Sequence, residues 1–379
     1  MASRGSIYRR GTTWTAHVSW GTGSAKRQVK KGGHRTRAEA QATLVELLAA
    51  VEAGTFVAPS RLTVARYVEG WLEGLGTAGL RPSTVVGYRH KLNTYVVPRI
   101  GAVPLQQLSA LDLDRLYATL AREGGRNGSA LSLATVRYVH AVLSKALADA
   151  ERKGLVTRNV ARLASPPKRS ATRAAEMTAW TPAELAAFLD RTTDHYYGPL
   201  VRVAAMTGLR RGELCGLRWS DVDLDGSVLV VRQTVQLVAG RIVIGDVKTA
   251  RSRRRLDVDE HTVAVLRAHR TRQLKLRLAV GAGWRDHGLV FTAPDGQPLN
   301  PDTITQWFDR TVRRTELPRI RLHDLRHTHA THLLAAGVNV KIVSERLGHA
   351  SVAFTLDAYG HVMPGQQASA AAAVAALVD

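Results

Sequence analysis

The chain has 379 residues, enough for two or three domains. Hydrophobic residues make up 45% and charged residues 22%, which excludes a wholly disordered chain. Lys plus Arg number 53 against 31 Asp plus Glu, a formal net charge of +22 that favours a polyanionic partner. A basic ribosome- or membrane-associated protein is the plainer alternative. The single cysteine, Cys215, excludes a disulfide framework and a multi-cysteine zinc site. No apolar run is long enough to span a membrane, and the opening MASRGSIYRR has no apolar signal core. A cytoplasmic, nucleic-acid-binding protein is therefore expected.

Residues 1–37 hold nine Lys/Arg and no acid. Ile7–Tyr8, Trp14–Trp20 and Gln28–Lys30 read as short strands, the middle one with Trp14, Ala16, Val18 and Trp20 on one face. Thr36, with Glu39 three residues on, opens a helix whose apolar stripe is Leu44, Leu47, Leu48 and Val51. The pattern predicts a three-stranded sheet with a helix across it, closed by a linker over Gly54–Ser60.

Residues 61–165 read as nearly all helix: Val64–Gly74, Ser83–Val96, Ser109–Glu123 and Leu133–Lys153. Ser109 with Asp112 forms a capping-box pattern, and Pro98, Gly101 and Pro104 punctuate the middle. The segment Pro166–Arg173 is basic and aperiodic. It fits a linker lying along a phosphate backbone, or a plain solvated linker. Beyond it, Thr181-Pro182-Ala183-Glu184 marks a helix start, and helices follow over Pro199–Thr207 and Arg211–Leu217. Val228–Val235, Arg241–Val247 and Arg254–Val258 read as three antiparallel strands joined by turns. The alanine run Ser369–Ala376 favours helix. The expected fold is multidomain α+β. A small three-stranded sheet plus helix (1–57) precedes an all-α bundle (62–165) and a mainly α domain with a small antiparallel sheet (176–379).

Four patterns in the last block carry chemistry. In Thr207-Gly208-Leu209-Arg210-Arg211-Gly212-Glu213, Arg210 sits within pairing reach of Glu213, which suits either an ordinary surface ion pair or an oriented arginine. Lys248 lies in a turn between strands, and Lys248, Lys275 and Lys341 are the only lysines of this block. Lysine can surrender a proton near neutral pH and arginine cannot. In Leu322-His323-Asp324-Leu325-Arg326-His327, His323 and Arg326 are three apart and can face one phosphate. Last come Leu347-Gly348-His349 and, ten residues after His349, Tyr359.

In these motifs, TGxRxxE, a hairpin lysine, HxxR, LGH and a C-terminal tyrosine, the chain resembles a tyrosine recombinase of the phage-integrase family, of the lambda type. The resemblance spans nearly the whole chain. It implies an arm-type DNA-binding domain at 1–57, a core-binding domain at 62–165 and a catalytic domain at 176–379. It also implies Arg210, Lys248, His323, Arg326, His349 and Tyr359 as the catalytic set. In that scheme the arginines and His349 hold the phosphate, Tyr359 attacks, His323 takes its proton and Lys248 protonates the leaving oxygen. A 3′-phosphotyrosyl intermediate stores the bond energy, so no cofactor, ATP or metal is required. The implied function is a site-specific recombinase that integrates or excises a phage or other mobile element. Implied partners are double-stranded DNA at attachment sites, a homotetramer on synapsed DNA, a host DNA-bending protein and an excisionase. The implied location is the cytoplasm and nucleoid of a bacterial host. A chromosome-dimer resolvase, which lacks the basic N-terminal sheet, and a non-catalytic DNA-binding regulator are the alternatives. A zinc reading of His323 and His327 fails at Asp324, where HExxH has Glu. His327, His329 and His332 are expected to pack or face phosphate. Cys215, Trp180, Trp219 and Trp307 are expected in the core.

Overall fold

The structure, a computed structural model, describes residues 4–21, 26–168, 178–247, 253–360 and 374–375. The chain forms two compact units, Met1–Ala171 and Thr172–Asp379. In the first, β1 (Arg4–Arg10), β2 (Thr13–Trp20) and β3 (Arg27–His34) make an antiparallel sheet in that order, and α1 (Arg37–Glu52) packs on it. Ala16 and Val18 are fully buried with Leu44, as the alternation of β2 requires. Pairing runs further than the predicted strands because the added Arg and Lys positions keep their side chains in solvent. Thr36 caps α1, whereas the Glu39 carboxylate accepts the Arg35 N–H at 2.9 Å. The open sheet face carries Ser6, Tyr8, Arg10, His17 and Lys30, with His17 reaching Gln28 Oε1 at 3.3 Å.

The rest of that unit is α2 (Val64–Thr77), α3 (Pro82–Lys91), a π-helical turn over Leu92–Val96, α4 (Val97–Ile100), α5 (Ala110–Glu123) and α6 (Leu133–Arg152). The Ser109–Asp112 capping box forms. Pro98 does not break the chain's helical course, because it sits in the first turn of α4, where its missing N–H is tolerated. Trp71, Leu92, Leu113, Leu120, Leu143 and Leu147 fill the core.

The second unit comprises α7 (Pro182–Thr192), α8 (Gly198–Thr207), α9 (Arg211–Cys215), β4 (Val222–Asp223), β5 (Val228–Val231), β6 (Gln233–Val238), β7 (Arg241–Asp246), β8 (Arg254–Asp257), α10 (Glu260–Val280), α11 (Pro301–Val312), α12 (Asp324–Ala335), α13 (Val340–Leu347) and α14 (Val352–Tyr359). The strands differ from the expected run of three. The segment 228–235 divides at Arg232: β4, β5 and β8 form one sheet, and β6 pairs only with β7. Val228, Leu229 and Val231 are held in the core, while the chain beyond Arg232 turns into a hairpin whose second strand is exposed throughout. Trp180 and Cys215 are buried as expected, and Trp219 and Trp307 pack partly buried against the same core. Of the expected helix over the alanine run 369–376 only residues 374–375 are described, and they are helical, while the rest of the run and residues 169–173 of the basic linker lie outside the described residues. Among the described residues no helix is long and apolar enough to cross a membrane.

Candidate active site

The site begins with two helices that end in left-handed glycines. Gly208 closes α8 with φ +64 and Gly348 closes α13 with φ +65. At Gly208 a Cβ would lie 2.7 Å from Leu347 Cδ2 and 2.9 Å from His329 Cδ2, so no side chain fits there. The turns leave carbonyls at the negative ends of both helices, and cations bind them. Arg326 Nη1 donates to Gly208 O and Nη2 to Leu347 O, each at 2.7 Å. Arg210 Nη2 donates to Gly348 O at 3.1 Å. The TG and LGH motifs thus each supply a turn and an acceptor for the two predicted arginines.

Glu213 ties the arginines together. It accepts the Arg210 backbone N–H and Nη1, each at 2.9 Å. Arg254 Nη2 donates to it at 2.9 Å and Nη1 at 3.2 Å, while Arg254 Nε reaches Arg346 O. Burial pushes the Glu213 carboxyl up, but the hydrogen bonds and charges of Arg254 and Arg210 outweigh it and hold it below the usual range. Arg326 is only 3% exposed. Burial, and then the Arg210 charge, bring its pKa down to about 9.

Tyr359 ends α14 and is 2% exposed, packed on Ala330, Leu334, Val343 and Leu347. Its hydroxyl is pushed up to about 12, chiefly by burial. The hydroxyl lies 2.5 Å from His327 Nδ1. His349 stacks nearly parallel to the Tyr359 ring at 6.5 Å, and its Nδ1 lies 2.8 Å from the Thr355 hydroxyl. Burial and the charges of Arg326 and Arg210 bring His349 down to about 4. His323 caps α12 at the surface, its ring edge-on to His327 at 5.2 Å. Crowding by protein atoms, then His327 and Arg326, bring it down to about 4. His329 is bound by Arg346 Nε at 3.1 Å, and His332 Nε2 lies 2.8 Å from Trp180 O, so both pack. Burial pushes the Cys215 thiol up to about 12, which removes it as a nucleophile.

Arg210, His323, Arg326, His349 and Tyr359 are therefore gathered from the starts and ends of α9, α12, α13 and α14. Lys248 lies outside the described residues. Among the described residues no group of three or more His, Cys, Asp or Glu is placed to hold a metal ion. A cleft of about 870 Å³ between α7, α8, α10 and α12 contains none of the site residues.

The phage integrase family model matches residues 177–365, which include all six predicted site residues. An integrase of Streptomyces ambofaciens is 34% identical over 358 residues, 91% of this chain and 88% of that protein. The chain belongs to the phage integrase family. It is a tyrosine-type site-specific recombinase. A XerC-like tyrosine recombinase of Caldanaerobacter subterraneus is 25% identical over 352 residues, 89% of this integrase and 88% of that protein. Two solved structures share the fold. The Tn1549 transposon integrase in complex with a circular intermediate DNA has TM-score 0.67 at 21% identity, covering 83% of this chain and 99% of that one. A lambda integrase dimer bound to a core site has TM-score 0.56 at 18% identity, covering 93% of each chain.

The roles of three residues of the integrase site escaped the sequence reasoning. Arg254 shares a strand face with the buried Leu256, so strand alternation places it inward and separates it from Arg253 and Arg255. His327 lies one helical turn after His323 and on its face of α12; it is expected to pack or face phosphate, and the structure sets its Nδ1 at the Tyr359 hydroxyl. Thr355 stands between His349 and Tyr359 in the last pattern, but its contact with His349 depends on how α14 folds back.

Proposed function

We propose that this integrase cuts and rejoins double-stranded DNA at attachment sites to integrate or excise a phage or other mobile element. Tyr359 attacks the scissile phosphate, giving a 3′-phosphotyrosyl enzyme and a free 5′ hydroxyl. Arg210 and Arg326 neutralise the non-bridging oxygens, since an anchored guanidinium needs no reorganisation as charge develops. His323 and His349 add donors at the same phosphate. Lys248 protonates the leaving 5′ oxygen. Ligation is the reverse attack, so the reaction needs no external energy source.

Residues 1–57 form the arm-type DNA-binding domain, 62–165 the core-binding domain and 176–379 the catalytic domain. The basic open face of the β1–β3 sheet suits a major groove, which admits a small sheet. The solved relatives point to the assembly: one lambda integrase structure is a tetramer bound to a Holliday junction. This chain accordingly acts as a homotetramer on synapsed DNA, assisted by a host DNA-bending protein and an excisionase.

The observation that carries the reading is the convergence of two carbonyl-anchored arginines and His349 beside the ring of Tyr359. A nicked suicide substrate tests it. Wild type accumulates a covalent protein–DNA adduct, and Tyr359→Phe forms none while binding DNA almost unchanged. An adduct persisting in Tyr359→Phe overturns the assignment.

A further inference from the structure

We propose that His327, rather than His323, takes the proton of the Tyr359 hydroxyl as that oxygen attacks phosphorus. The inference rests on Tyr359 being the nucleophile and adds the identity of its base.

Geometry carries it. A general base must stand within hydrogen-bond reach of the proton it removes. His327 Nδ1 lies 2.5 Å from Tyr359 Oη. His323, one turn earlier, stands exposed at the start of the helix.

The protonation states agree. With Nδ1 accepting from the hydroxyl, the imidazole is neutral and carries its hydrogen on Nε2. Burial holds His327 below the ordinary histidine range, Asp324 opposing and Arg326 and Arg321 assisting. The hydroxyl, pushed up by burial, stays protonated. The base is thus unprotonated and the nucleophile protonated before reaction, as the step requires.

Nε2 lies 4.0 Å from Asp324 Oδ1, beyond a hydrogen bond but within reach of an ion pair. The Asp324 carboxylate is itself held by Arg321 Nη2 at 2.7 Å and Nε at 3.0 Å. An imidazolium formed at His327 therefore gains a fixed countercharge. The charged and titratable groups around it are Asp324, Arg321, Arg326, His323, His349 and Tyr359.

The step balances. The Tyr359 O–H bond breaks as His327 Nδ1–H forms. The Oη–P bond forms as P–O5′ breaks, and O5′ takes its proton from a separate acid, Lys248 in the reading above. On religation, His327 returns its proton to the departing phenolate.

The test uses the full chain and single-turnover cleavage of a suicide substrate at saturating DNA. Three variants are compared: His327→Ala, His327→Asn and His323→Ala. The Asn amide oxygen stands near the place of Nδ1 and accepts a hydrogen bond but not a proton. Each protein is also made with difluorotyrosine at position 359, whose hydroxyl is more acidic. Both His327 variants are expected to bind DNA normally and cleave about 10²-fold or more slowly, the usual worth of a general base. Difluorotyrosine should restore most of that loss while leaving His323→Ala unrescued. A His327→Asn variant that cleaves at the wild-type rate overturns the proposal. So does difluorotyrosine rescuing His323→Ala in place of the His327 variants. A wild type that forms no adduct at Tyr359 refutes the underlying assignment of the nucleophile instead.

Discussion

In the helices α2–α6, Leu92, Leu113, Leu120, Leu143 and Leu147 meet one another, and the polar exceptions sit at the ends of large rings, as where Tyr67 Oη donates to Ala146 O at 2.6 Å. Among α8, α9, α12 and α13 the chain instead buries Glu213, Arg326 and His329, and β8 brings in the Arg254 side chain, 6% exposed. Apolar contact holds the first region, and any residues of similar volume and pattern serve it. The second pairs each buried charge with a carboxylate or a helix-end carbonyl, because an unpaired one is costly. A layer of this kind contributes little net stability. What it provides is two arginine forks fixed in position before DNA arrives.

That contrast can be broken at several points. The largest effect is expected at Glu213. Replacing it with Ala leaves Arg210 and Arg254 without their shared carboxylate and should cost about 3–5 kcal/mol in denaturant unfolding. A loss no larger than that of an exposed ion pair would mean the network is not tied through Glu213. Next is Arg326→Lys, which keeps the charge but cannot bridge Gly208 O and Leu347 O. Suicide-substrate cleavage should fall about 10²–10³-fold with little change in DNA affinity.

The buried histidines give a pH dependence. Burial, with the Arg346 charge, holds His329 down to about 3, so it is neutral when folded and becomes charged below its ordinary pKa only when unfolded. The unfolded chain then binds the extra proton, and stability falls as pH drops below about 6.5 toward the folded pKa. Melting temperature should therefore fall between about pH 7 and about pH 5, and His329→Gln should flatten that slope. In the helical bundle His140 is half-buried beside the Tyr117 hydroxyl at 2.9 Å, and burial lowers its pKa in the same sense. The smallest effect is Thr355→Val. It removes the hydroxyl that pins His349 Nδ1 and should slow cleavage about tenfold, the worth of one ordinary hydrogen bond, with Thr355→Ser restoring it.

Local signals carried most of the architecture. Thr181 with Glu184, and Ser109 with Asp112, mark helix starts within four residues, and both capping boxes form. The division of 228–235 between two sheets was not legible, because β5 finds its partner across the whole β6–β7 hairpin. In the site, motif spacing marked Arg210, His323, Arg326, His349 and Tyr359. The Arg254–Glu213 pair joins residues 41 apart, and the His327–Tyr359 pair joins residues 32 apart. Neither can be read until α9, β8, α12 and α14 are folded together.

The central claim is that Tyr359 is the residue joined to DNA. Trapping wild type on a suicide substrate, digesting the adduct and sequencing its peptides by mass spectrometry tests that directly. The account predicts a single modified peptide containing Tyr359, carrying the nucleotide through its 3′ phosphate, with a free 5′ hydroxyl on the released strand. A modification on any other residue, or a 5′-linked nucleotide, would contradict it.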